Sequence, residues 1–117
     1  MADSERKHPV DLDAAKDRVM GDVAFLKEML EMFEASVPTF LEAIRDAVEK
    51  QDAPALSRTA HQFKGAALNL SVLQVAEKAA DLDKLGKDAD FENVKEVLEA
   101  LEEAVSDFRE FMTGAAW

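Results

Sequence analysis

The chain contains no cysteine and no tyrosine, and only four glycines, three prolines and one tryptophan among 117 residues. Without cysteine there is no disulfide framework, no thiolate zinc site and no thiol nucleophile, which suits a reducing compartment. The shortage of glycine and proline and the missing tyrosine argue against an all-β fold. No apolar run approaches the roughly 20 residues needed to cross a bilayer, and residues 1–10 are too polar for a signal peptide. Basic side chains are scarce as well, 14 against 25 acidic ones, for a formal net charge of −11. Such a field repels nucleic acid and anionic membranes, and no glycine-rich phosphate loop is present for a nucleotide. The expectation is a cytoplasmic protein that binds neither nucleic acid nor membrane. The two histidines, His8 and His61, stand too far apart in sequence to suggest a metal site; His8 reads as solvated.

What is present is a folding composition, 48% hydrophobic and 33% charged, at a length that suits one core. Residues 1–9 read as a flexible tail and 10–117 as a single domain. There is no repeat and no internal linker, which favours a small free-standing protein. Asp11 can cap a brief helix reaching about Met20, with Gly21 as its stop. Asp22 then caps a long helix whose apolar residues Leu26, Leu30, Phe33, Val37, Leu41, Ile44 and Val48 advance by threes and fours. Met29 and Met32 read as packing in the same rhythm, and Pro38 should kink this helix without ending it.

Asp52 and Pro54 form the start of a third helix with Leu56, Ala60, Phe63, Ala67 and Leu70 on one stripe. Ser71 and Gln74 have capping-box spacing for a fourth helix, which Gly86 should end. Asp90 is the expected cap of a last helix carrying Phe91, Val94, Leu98, Leu101, Val105, Phe108 and Met112. Four amphipathic helices can bury their stripes only against one another. The expected fold is all-α: an antiparallel four-helix bundle with a short additional N-terminal helix.

The segment His61-Gln62-Phe63-Lys64-Gly65-Ala66-Ala67 carries the chemistry. Residues three and four apart share a helix face, so an imidazole, a cation and a position without a side chain fall together. At 100° per residue His61 lies roughly 140° from the centre of its helix's apolar stripe, so the ring faces outward. On the fourth helix Asp83 lies within roughly 45° of the inward stripe of Val72, Val75, Ala76, Ala79 and Leu82. A carboxylate aimed into a helix interface needs a hydrogen-bond partner. The chain reverses near Ser71, which brings His61 and Asp83 to nearly the same height. If they meet, Asp83 accepts a proton from Nδ1, fixes the tautomer and leaves the Nε2 lone pair directed outward. Lys64 is placed to neutralise phosphoryl oxygens, and Gly65 leaves room for the group and for a partner.

Each residue also has a plainer reading. His61 and Lys64 could be ordinary solvated side chains. Gly65, which costs about 1 kcal/mol in a helix relative to alanine, could serve tight helix packing. Asp83 could pair with Lys87 one turn on. Arg58, one turn before His61, either adds positive potential or is simply exposed.

The stretch from His61 to Leu70 resembles the signature of histidine-containing phosphotransfer domains of two-component phosphorelays. Pro9-Val10-Asp11-Leu12 resembles that family's lead-in, and Phe33 to Ile44 resembles its long second helix with an internal proline. The resemblance implies that His61 accepts a phosphoryl group from a receiver-domain aspartyl phosphate and passes it to another receiver aspartate. It further implies that Lys64 sits near that group, that Gly65 is the small residue after it, and that Asp83 holds the ring where Gln or Glu is usual. Ser71 replaces a frequent glycine. Leu68 is the expected docking anchor, with Arg58 beside the site. The implied partners are response-regulator receiver domains, possible members of a hybrid sensor kinase among them, with Mg2+ only in the receiver. A monomeric phosphocarrier without autokinase activity follows. The alternative is a non-catalytic helical module that docks receivers; an enzyme such as a phosphohistidine phosphatase lacks the metal-ligand spacing and second base it would need.

Overall fold

The computed structural model describes residues 9–114. The tail expected over residues 1–9 therefore lies, apart from Pro9, outside the described residues, as does His8. Five helices appear among the described residues: α1 (Leu12–Arg18), α2 (Val23–Glu49), α3 (Ala53–Asn69), α4 (Leu73–Lys87) and α5 (Val94–Gly114). The short α1 packs against α2, and the four long helices enclose the core.

Three starts follow from aspartate caps. Asp11, Asp22 and Asp52 accept hydrogen bonds from the backbone N–H of Ala14, Phe25 and Ala55 at 3.1, 3.0 and 3.1 Å. Helix α2 runs unbroken through Pro38, which lies on its exposed face. The expected stripe is buried from Leu26 to Ile44. In the last turn Ala47 is buried and Val48 only half so. Met32 is 63% exposed rather than packed. It lies roughly 140° from the centre of the α2 stripe at 100° per residue.

The helix ends depart further from the sequence reading, for one shared reason. Four helices close with a 6→1 bond flanked by a 5→2 bond, around a left-handed residue that is not glycine. These residues are Met20, Gln51, Ser71 and Ala89, with φ of 56°, 52°, 57° and 51°; at α1 the expected stop Gly21 follows Met20, is also left-handed at φ 81°, and donates the 6→1 bond to the Lys16 carbonyl at 2.8 Å. At α3, for example, the Val72 N–H donates to the Ala67 carbonyl at 2.9 Å and the Ser71 N–H to Leu68 at 3.0 Å. Ser71 is thus the terminator of α3, and it does not cap α4, whose N-cap is Val72 with no side-chain bond. Gly86 does not end α4; the helix continues to Lys87, and Ala89 makes the turn. Asp90 stands four residues before the first residue of α5, and its Oδ1 accepts from the Asn93 backbone N–H at 3.4 Å. It accepts from the Asn93 side chain at 2.8 Å and holds the turn before α5 begins at Val94.

Ring packing sets the rotation of α3. Phe63 stacks on Phe40 at 4.7 Å and on Phe33 at 5.9 Å, and Phe33 meets Phe108 of α5 edge-on at 5.4 Å. Phe63 is wholly buried. With that ring anchored inward, the positions two before and two after it, His61 and Gly65, must face away from the core. An Arg45–Glu102 ion pair links α2 to α5 at the surface.

Candidate phosphotransfer site

The outward face of α3 presents His61, Lys64, Gly65 and Leu68 in succession along about two turns. The His61 side chain is 64% exposed. Its Nδ1 lies 3.2 Å from Asp83 Oδ2 on α4, a direct contact between residues that the antiparallel turn brings level. Among the described residues Asp83 is one of two buried polar residues, with 4% of its surface exposed. Burial pushes its carboxyl upward, but hydrogen bonds from Ser57 and His61, together with the charges of Lys87 and His61, outweigh it. The net result is a carboxyl held below its ordinary range. An ionised carboxylate only accepts, so the shared proton belongs to Nδ1 and Nε2 is the free nitrogen.

Both partners weighed for Asp83 are present. Lys87 Nζ approaches the same Oδ2 at 3.6 Å, so His61 and Lys87 share one oxygen. The other oxygen belongs to a residue that sequence reasoning missed: Ser57 Oγ donates to Asp83 Oδ1 at 2.6 Å. A second missed residue makes this possible. A Cβ on Gly86 would stand 2.6 Å from the Ser57 backbone nitrogen, so only glycine lets α4 approach α3 this closely. A signal for both existed. Ser57 is one turn before His61, Gly86 is one turn after Asp83, and the two stand nearly equidistant from the turn at Ser71.

The reading of Gly65 as a packing glycine fails, because a Cβ there would meet nothing within 4 Å. Its missing side chain opens space towards solvent, not towards a helix. Leu68 is 43% exposed on the same face. Lys64 is half-buried and Arg58 is exposed. Arg58 joins His61, Ser57, Asp83, Gly86 and Lys87 around an open groove of about 620 Å³ between α3 and α4. Lys64, Gly65 and Leu68 lie outside that groove, further along α3. Among the described residues no group of three or more His, Asp or Glu side chains is placed to hold a metal ion. None of the described helices is long and apolar enough to cross a membrane.

This geometry offers an exposed ring nitrogen with its opposite nitrogen held by a buried carboxylate, flanked by cations on an otherwise acidic molecule. No curated protein sequence matches the chain. Two solved structures share its fold. Histidine-containing phosphotransfer protein B (HptB) from Pseudomonas aeruginosa is 23% identical with a TM-score of 0.80, covering 93% of this chain and 94% of that one. The HPT domain of an Hpt sensor hybrid histidine kinase from Shewanella is 20% identical with a TM-score of 0.70, covering 93% and 98%. The sequence profile of the Hpt domain matches residues 28–111, well over half of the chain. The protein therefore belongs to the Hpt domain family, and its role is that of a histidine phosphotransfer carrier in a two-component phosphorelay.

Proposed function

We propose that His61 is the phosphoacceptor, taking a phosphoryl group from a receiver-domain aspartyl phosphate and delivering it to the aspartate of another receiver. The observation that carries this is the exposed ring whose Nδ1 is engaged by a buried carboxylate at 3.2 Å. In the forward step the Nε2 lone pair attacks phosphorus in line. The N–P bond forms as the P–O bond to the aspartyl carboxyl breaks, and the carboxylate leaves. The Nδ1 proton stays on the ring, where Asp83 stabilises the positive charge that develops. Lys64 supplies charge to the phosphoryl oxygens, and Gly65 gives the receiver's loop clearance. Leu68 serves as an apolar anchor for docking, and Arg58 adds positive potential beside the ring.

The chain acts as a carrier with no autokinase activity, since nothing in its sequence resembles a nucleotide-binding loop. Magnesium is expected from the receiver's acidic pocket. Receiver domains, including one from a hybrid sensor kinase, are the proposed partners; a monomer in the cytoplasm, engaging neither nucleic acid nor membrane, completes the reading. Incubation with a radiolabelled phospho-receiver tests it against a purely docking role. Transfer predicts label on this chain that is lost in acid and kept in alkali. Stable complex formation without any transferred label would make it a docking module instead.

A further inference from the structure

We propose that Ser57 is a positioning residue for phosphoryl transfer, pinning the Asp83 carboxylate so that Oδ2 stays on the Nδ1 proton of His61. The inference rests on the reading of His61 as phosphoacceptor, and it adds a residue outside the His61–Gly65 motif.

The argument begins with the short side chain of Asp83. The terminal torsion of an aspartate is broad, so its carboxylate plane is not fixed by rotamer preference alone. Two donors compete for Oδ2, the His61 ring at 3.2 Å and Lys87 Nζ at 3.6 Å. Lys87 lies one turn further along the same helix and draws the carboxylate away from the ring. Ser57 opposes that rotation by donating to Oδ1 at 2.6 Å, shorter than either contact of Oδ2. With Oδ1 tied to α3, Oδ2 can face only the groove side where the ring stands. The contact is built into the backbone: Gly86 has no side chain, and this lets the Ser57 segment lie against α4. Ser57 and His61 are four residues apart on one face of α3, so a single turn delivers both the proton donor and the clamp on its acceptor.

The consequence is tautomeric. A pinned Oδ2 favours the ring form with hydrogen on Nδ1, which is the form whose Nε2 can attack. Loss of the clamp frees the carboxylate to swing towards Lys87, and the Nε2-protonated form gains population. That form has no lone pair at the attacking nitrogen.

The test uses the full chain as wild type, Ser57→Ala, Asp83→Ala and the double variant. Ring nitrogen NMR of His61 gives the tautomer ratio, and single-turnover transfer from a phospho-receiver gives the rate. Ser57→Ala removes only a hydroxyl and favours the helix. It is expected to shift the ring towards the Nε2-protonated form and to slow transfer on the order of tenfold, the factor that one hydrogen bond to a charged group represents. In the Asp83→Ala background the same change should alter neither quantity. A wild-type tautomer ratio and rate in Ser57→Ala would overturn the proposal. So would an undiminished effect of Ser57→Ala when Asp83 is absent. If the wild-type chain takes no phosphoryl group at all, the functional reading fails, while the tautomer ratio still decides the part played by Ser57.

Discussion

Replacing Gly65 with alanine separates stability from function more cleanly than any other change at this site. The residue lies inside α3, where glycine costs about 0.8–1.0 kcal/mol relative to alanine. A Cβ built there meets nothing within 4 Å, so no steric penalty offsets that gain. Gly65→Ala should therefore stabilise the fold by about 1 kcal/mol, raising the melting temperature by roughly 4 °C for a domain of this size. The added methyl projects from the face that carries His61 and Lys64, where a receiver must bring its phosphoryl group within bonding distance. Displacing reacting atoms by about 1 Å can cost a hundredfold in rate. Transfer should slow on the order of tenfold to a hundredfold while the protein becomes harder to melt. Thermal unfolding by circular dichroism and single-turnover transfer from a phospho-receiver read the two effects separately. A stabilised variant that transfers at the wild-type rate would refute clearance as the function of this glycine. A destabilised one would refute the packing on which the calculation rests.

The other predictions follow from contacts already described. Gly86→Ala should act in the opposite direction, because its Cβ would collide with the Ser57 backbone at 2.6 Å; chemical denaturation should show a loss of about 1–3 kcal/mol as α3 and α4 are forced apart. Ala89→Gly should gain about 0.5–1 kcal/mol in the same assay, since the residue terminates α4 at φ 51° where glycine is unstrained. Asp83 should impose a pH dependence: its carboxyl is held below the ordinary range, so its contribution to stability is complete above about pH 4 and fades as pH falls through the folded value. The stability gap between wild type and Asp83→Asn, measured by urea unfolding from neutral pH downwards, should be constant at first and shrink only in that acid window.

Much of the architecture was legible because helical periodicity is a one-dimensional property. The stripes around Leu30, Phe63, Leu82 and Leu101 specify which face of each helix is buried, and they put His61 outside and Asp83 inside by angle alone. The turn near Ser71 then supplied their common height. What stayed hidden depends on distances between backbones. Ser57 looks like any small polar residue on a helix until α4 is known to lie against it, and that closeness comes from Gly86, whose position suggested a helix stop. The terminators were misread for a related reason. The sequence advertises glycine and capping-box patterns, whereas the chain uses left-handed Ser71 and Ala89 and accepts the strain because hydrogen bonds across the turn hold them there. Met32 followed a plausible spacing, but it sits off the arc that α2 actually buries.

The central claim concerns one nitrogen of one ring. Wild type and His61→Gln, each exposed to the same phospho-receiver and examined by mass spectrometry with cleavage conditions that preserve phosphoramidates, give the most direct reading. Modification of the wild-type peptide at His61, with an unmodified but fully helical His61→Gln protein, is the predicted result. A phosphoryl group found on any other residue, or retained by His61→Gln, would contradict it.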